Sequence, residues 1–261
     1  MDVARQLHSR LTVVAITDFP EIEPGTDIGE VICRLSQAQG TELLDQDVVV
    51  VAQKVVSKAE GRYVDLATVK AGAKASALAE KVQKDPRLVE VILGESRRVL
   101  RYRQGVLIVE HKLGFVVANA GIDQSNIDPA KGALPVLLLP ENPDMSARRL
   151  REQIHRRLGK VVAVVISDSF GRAWRLGTVG VALGAAGLPA LIDLRGTPDL
   201  YGRRLQVSET AFADEIAAAA SLLMGQANEG LPVVIVRGLN WADIDLPAAA
   251  LIRDPQVDLF R

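Results

Sequence analysis

A chain of 261 residues with 48% hydrophobic and 24% charged side chains has ordinary globular usage, which excludes a disordered chain, a collagen-like fibre and a disulfide scaffold. The formal net charge of −1 is not that of a protein that coats nucleic acid or an anionic membrane. The one cysteine, Cys33, rules out an intrachain disulfide and a Cys-based zinc site, and aromatics at 4% leave the core to Val, Leu, Ile and Ala.

The segment Met1 to Arg10 is polar and mixed in charge, without the apolar centre of a signal peptide. The β-branched run Leu11 to Ile16 predicts a strand, and Asp18-Phe19-Pro20 with Pro24-Gly25 then force a loop. Asp47 to Val51 predicts a buried strand. The Ala- and Lys-rich stretch Leu66 to Lys84 predicts a helix. A second helix starts at Asp85, which caps, and Pro86, which takes the first helical position; Leu88, Val91, Ile92 and Leu100 form its apolar face. Val106 to Val109 and Phe115 to Ala118 read as strands around a turn at Lys112 to Gly114.

Ser146 to Leu158 is a basic amphipathic helix, with Leu150, Ile154 and Leu158 inside and Arg148, Arg149, Arg151, Arg156 and Arg157 on a solvated face. Val161 to Ile166 is apolar throughout, as in a strand covered on both sides. Leu176 to Ile192 is the longest uncharged stretch, too short and too rich in glycine for a membrane span. Glu209 to Met224 predicts a helix with an apolar stripe of Phe212, Ile216, Ala219 and Leu223, and Pro232 to Val236 a last buried strand. The elements together predict an α/β fold of mixed α+β character in a soluble, cytoplasmic protein that engages neither membrane nor nucleic acid.

Common catalytic motifs are missing. No two glycines are separated by one residue, so G-x-G-x-x-G cannot occur, and there is no P-loop, H-E-x-x-H or G-x-S-x-G. Three scattered histidines, His8, His111 and His155, do not suggest a His-based metal site. Acidic and amide residues instead follow two predicted strands: Asn119 to Asn126 after Ala118, and Ser167-Asp168-Ser169-Phe170-Gly171-Arg172 after Ile166. Carboxylate, hydroxyl and amide oxygens at strand ends suit a hard cation such as Mg²⁺ or Mn²⁺, which keeps substrate phosphates among its ligands. The same residue types are also common turn formers. Arg172, Arg175, Gln53-Lys54 and Ser57-Lys58 lie nearby in the pattern, either as phosphate partners or as surface cations. The loop Met224-Gly225-Gln226-Ala227-Asn228-Glu229-Gly230-Leu231 reads equally as a connector or as a wrap around a nucleotide base.

The ordered series Val55 to Arg62, Asn119 to Asn126, Asp168 to Arg172, Asp199 to Arg203, Ala213 to Ala217 and Leu223 to Gln226 resembles the coenzyme F420:L-glutamate ligase, or γ-glutamyl ligase, family of deazaflavin coenzyme biosynthesis. The likeness runs from about Thr17 to Gly238. It implies a family-specific fold with mixed sheets that is neither P-loop nor ATP-grasp, and a single unit over residues 1–261, with two intertwined subdomains as the alternative. No C-terminal reductase domain is expected after Arg261.

The implied reaction is GTP-dependent: the carboxylate of a glutamate-free coenzyme F420 precursor is activated as an acyl phosphate, L-glutamate's amine attacks it, and further γ-linked glutamates follow. Two Mg²⁺ or Mn²⁺ ions, a K⁺ ion and a homodimer are implied with it. By resemblance Asp123 and Asp168 are ligands of the first metal, and Ser169 and Gln226 of the second. Phe19, Pro20, Glu21, Ile22, Gln53, Lys54, Lys58, Asn126 and the run Met224, Gly225, Gln226, Ala227, Asn228, Glu229, Gly230 and Leu231 are the nucleotide contacts. Arg172 and Arg175 are read as phosphate stabilisers, and no enzyme nucleophile is expected. The rival readings are a non-catalytic nucleotide- or deazaflavin-binding protein and a metal-dependent phosphotransferase or phosphatase.

Overall fold

A computed structural model describes residues 10–259, so His8 and the polar segment before Arg10 lie outside the described residues. In chain order the elements are β1 (Thr12–Ala15), α1 (Ile28–Ala38), β2 (Val48–Ala52), α2 (Gln53–Ala59), β3 (Tyr63–Asp65), α3 (Ala73–Val82), α4 (Pro86–Gly94), β4 (Ser96–Arg103), β5 (Val106–His111), β6 (Val116–Ala118), β7 (Pro135–Leu137), α5 (Pro143–Leu158), β8 (Ala163–Arg172), β9 (Arg175–Ala186), β10 (Ile192–Asp193), β11 (Glu209–Thr210), α6 (Phe212–Met224) and β12 (Val233–Arg237). This is an α/β fold with mixed sheets. Among the described residues, no helix is long and apolar enough to cross a membrane.

The main sheet runs β1-β12-β2-β8-β9, and only the β2–β8 pair is parallel. The valines of β2 explain its central place. Val49 and Val51 enter a core that also holds residues of α1, α2 and α5, while Val48 and Val50 enter a second core with α6. A run that is apolar at every position suits this burial on both faces. A third core, from Leu66 to Val136, packs α3 and α4 on the separate β4-β5-β6 sheet.

Helix starts follow the capping chemistry. Asp85 accepts from the Arg87 amide at 2.8 Å and Pro86 opens α4; Asn142 accepts from the Met145 amide at 3.1 Å and Pro143 opens α5. The predicted helix over 66–84 is divided. Leu66–Thr68 is one 3-10 turn, Val69 is extended, and α3 begins only after Gly72. Leu100, expected on the face of α4, lies in β4, because the helix stops at Gly94 and Ser96 already pairs with His111. The stripe of α6 is Ala213, Ile216, Ala217 and Ala220, with Leu223 left 37% exposed. Small residues win that face because β9 comes very close: a Cβ on Gly180 would collide with the Ala217 carbonyl. Glu209, expected in this helix, instead pairs with Asp193 in the β10–β11 ladder.

The largest departure concerns β8. Val161 is exposed and precedes the strand, and the strand continues through Arg172 rather than ending at Ile166. Ser167 to Arg172 pair antiparallel with β9 in a long hairpin. The parallel pairing with β2 nevertheless ends at Ala52 and Ser167. Asp168 therefore stands one residue beyond the carboxyl end of the parallel pair, level with the start of α2.

Candidate active site

Side chains alternate along β8, and this alternation arranges the site. Ala163 and Val165 belong to the α6 core and Val164 and Ile166 to the core of α1, α2 and α5. Ser167 continues the first set, its hydroxyl 3.8 Å from Met224 Sδ at the end of α6. Asp168 consequently faces the α2 layer and Ser169 the α6 layer.

On the α2 side, β2 passes directly into helix at Gln53. The Gln53 side chain is 2% exposed; its Nε2 donates to Asp123 Oδ2 at 2.6 Å, and Ser57 Oγ, one turn on, donates to Gln53 Oε1 at 2.9 Å. Lys54 Nζ lies 3.2 Å from Asp123 Oδ1 and donates to Ser125 Oγ at 3.2 Å. Lys58, also buried, pairs with Glu21. Asp123 is fixed through its backbone as well, exchanging two 2.9 Å hydrogen bonds with Leu137.

Asp123 and Asp168 line one cleft of about 1330 Å³ with Ser169, Arg172 and Arg175. Burial pushes both carboxyls up. Asp168 keeps some surface open to the cleft, yet its packed surroundings raise it to about 7, and the charge of Asp123 adds to the rise. For Asp123, Lys54 and Gln53 oppose the effect of burial. Among the described residues no group of three or more His, Cys, Asp or Glu is placed to hold a metal. Two half-buried carboxylates that disfavour joint ionisation could hold a single hard divalent cation, which would need its remaining ligands from outside this pair.

On the α6 side, Gln226 Nε2 donates to Ser169 Oγ at 2.8 Å, so two residues 57 apart in sequence meet. Both bring neutral oxygens only. Asn126 Nδ2 donates to the Ala227 carbonyl at 3.2 Å, which joins the loop after β6 to the loop after α6. Glu229 accepts from the Ala227 amide at 2.8 Å, and backbone amides hold its carboxyl below the usual range. Met224 is the last residue of α6, Gly225 ends the helix at φ 70°, ψ −170°, a conformation that needs glycine, and Asn228, Gly230 and Leu231 complete the loop that follows.

Of the segment Phe19 to Ile22, Ile22 is 2% exposed inside the core and Phe19 packs against it, which leaves Pro20 and the Lys58 partner Glu21 towards solvent. Arg172 and Arg175 sit at the hairpin tip, with Arg172 Nη2 3.4 Å from the Leu176 carbonyl.

Sequence reasoning did not assign the parts played by four contributors. Ser57 and Ser125 hold Gln53 and Lys54, and the i, i+4 spacing of Gln53 and Ser57 was the available signal for the first. Phe115 and Phe170 stand on the cleft wall with ring centroids 5.3 Å apart, and no local pattern links them.

The family model described as F420-0:Gamma-glutamyl ligase matches residues 17–238. A Methanothermobacter thermautotrophicus protein named Coenzyme F420:L-glutamate ligase is 44% identical over 253 residues, 96% of this chain and 99% of the relative. Proteins of the same name from Methanopyrus kandleri and Methanocaldococcus jannaschii are 45% identical over 245 residues (92% of this chain, 94% of the relative) and 44% identical over 217 residues (83% and 85%).

Proposed function

The chain belongs to the F420-0:gamma-glutamyl ligase family and is a ligase by that membership, and we propose that it joins L-glutamate to the coenzyme F420 precursor with GTP as the activating nucleotide. The observation that carries the reading is that Asp123 and Asp168 line one cleft, with Lys54 Nζ 3.2 Å from Asp123 Oδ1.

Carboxylate and amine do not condense in water without activation. An oxygen of the acceptor carboxylate attacks the γ-phosphorus of GTP, and the bond to the GDP oxygen breaks. The glutamate amine then attacks the acyl carbon, phosphate leaves, and the amine proton passes to water. No enzyme nucleophile is required, in keeping with the absence of an activated Ser, Cys or His from the pattern.

The chain's own residues bind and orient. Lys54 and Lys58 on α2, and Arg172 and Arg175 at the hairpin tip, would meet the triphosphate, where cations offset the charge of phosphoryl transfer. Gln53 fixes the Asp123 carboxylate. Asn126 and the loop from Met224 to Leu231 enclose the nucleotide. Asp123 and Asp168 would hold Mg²⁺ or Mn²⁺, which when bound neutralises phosphate oxygens. Ser169 and Gln226 would hold a second cation, with K⁺ as a further one.

We assign the protein to a homodimer on the same footing. Leu176, Leu200 and Tyr201 are 98%, 99% and 96% exposed, and a second copy would remove this apolar surface from water. Light scattering should give twice the chain mass.

The deciding experiment incubates the protein with GTP, Mn²⁺, L-glutamate and the precursor and weighs the product. A mass gain of one glutamate residue per GTP consumed is expected, with further gains for γ-linked extension. GTP loss without that gain favours a phosphatase or phosphotransferase, and neither change favours a binding protein.

A further inference from the structure

We propose that Phe115 and Phe170 form an aromatic corner that stacks the flat, fused-ring head of the acceptor, the class to which a deazaflavin belongs; the identity of the acceptor rests on the function proposed above. Both rings line the cleft that holds Asp123 and Asp168. Their centroids are 5.3 Å apart and their planes are tilted by 56°, so one presents a face where the other presents an edge. Phe170 lies two residues beyond Asp168 on the same strand face, about 7 Å along the chain. A ring in the corner thus has its attached chain within reach of the carboxylate pair.

The corner is built rather than incidental. The His111 ring lies behind Phe115, parallel within 7° at a centroid distance of 5.0 Å. His111 is 3% exposed, and its Nδ1 accepts from the Leu113 amide at 3.0 Å, which fixes the ring from behind. The His111 amide donates to the Phe115 carbonyl at 2.9 Å, which closes the turn that carries both. Ile108, Leu113 and Val117 continue the wall as apolar surface. The chain has five phenylalanines, and two of them stand here.

Two observations favour the acceptor over the guanine base as occupant. The cleft of about 1330 Å³ exceeds the roughly 300–1,000 Å³ that ordinarily houses one small ligand. The residues read as nucleotide contacts, Gln53, Lys58 and the loop from Met224 to Leu231, are not among those lining it. They approach from the α2 and α6 sides, and the aromatic end is left to the second substrate.

The test titrates the full chain by calorimetry with a deazaflavin acceptor, with the same acceptor lacking its ring, and with GTP plus Mn²⁺. Wild type is compared with Phe115→Leu, Phe170→Leu and the conservative Phe115→Tyr, each checked for fold by thermal melting. Each Leu variant should bind the deazaflavin roughly three- to tenfold more weakly. It should bind the ringless acceptor and GTP as wild type does, and Phe115→Tyr should restore the affinity. Unchanged deazaflavin affinity in both folded Leu variants overturns the proposal, and so does a loss confined to GTP, which would put the guanine in the corner. Wild type that binds the deazaflavin but transfers no glutamate defeats the ligase reading while the binding comparison still decides the corner. Wild type that binds no deazaflavin defeats both.

Discussion

The Gln53 amide donates to the Asp123 carboxylate at 2.6 Å across 70 positions of sequence, and the Ser57 hydroxyl holds that amide from the other side. Asp123 is thereby oriented from the first turn of α2, the element that also carries Lys54 and Lys58. Gln53→Leu should keep the fold, because the side chain is buried and of similar volume. It should lower kcat by roughly tenfold or more, since partners that orient a ligating carboxylate are typically worth 10–100-fold. Steady-state kinetics beside a thermal melt checks this; wild-type kcat would show that Asp123 needs no such support.

Asp168→Asn removes a carboxyl that burial has pushed up to about 7. The raised value means that ionisation opposes folding as pH rises from the ordinary carboxylate range to neutrality, so the neutral amide should fold at least as well at pH 7. Turnover should fall by roughly 10²-fold or more, the scale of losing one electrostatic partner of a transition state. A folded variant with wild-type rates would remove Asp168 from the chemistry.

Lys58→Met leaves Glu21 half-exposed and able to rehydrate, so stability should change little. GTP affinity measured by calorimetry should drop roughly ten- to a hundredfold, the worth of a hydrogen bond from a charged donor. An unchanged Kd would take Lys58 out of the nucleotide site.

His111 supplies a pH signature. Burial pushes its imidazole down to about 4; Glu95, 4.0 Å away, opposes the shift, and Lys112, Arg62 and Arg97 assist it. The folded value lies below the ordinary 6.5, so the unfolded chain takes up the proton first and stability falls as pH drops from about 6.5 to about 4. The full loss is about 3 kcal/mol. Urea unfolding of wild type and His111→Gln at pH 7 and pH 4.5 should give a shallower decline for the variant. Equal declines would show that the ring is protonated in the folded state.

Gly225→Ala places a side chain at φ 70°, ψ −170°, a region open essentially to glycine, where its Cβ would also meet the Glu229 carboxyl. The strain is about 1–3 kcal/mol. The midpoint of urea unfolding should fall accordingly, and GTP binding should weaken with the displaced loop. A variant of wild-type stability and affinity would show that the loop accommodates alanine.

Much of the fold was legible because its signals are local. The valine run of β2, the Asp85-Pro86 helix start and the turn at Lys112 to Gly114 depend on neighbours within a few residues. The misplacements have tertiary causes. Leu100 has helical spacing from Ile92 and Leu88, but pairing with β5 claims it for a strand. The residues from Ser167 to Arg172 have turn composition, but β9 supplies a ladder for each of them. The stripe of α6 is chosen by the closeness of Gly180, which no periodicity within the helix reveals.

By itself the sequence determined the strands buried on both faces, the caps, the family likeness and the residue types able to meet a phosphate or a cation, since composition and short-range spacing carry these. Only the tertiary structure decided which of those residues share a surface. Strand alternation sends Asp168 to the α2 layer and Ser169 to the α6 layer, and the end of the β2–β8 pairing brings Asp168 level with Gln53 and Lys54. Phe115 and Phe170 meet through the packing of one sheet against the hairpin of another. Such encounters depend on long-range register and layer packing, and a one-residue change of register would send each of these side chains to the opposite face.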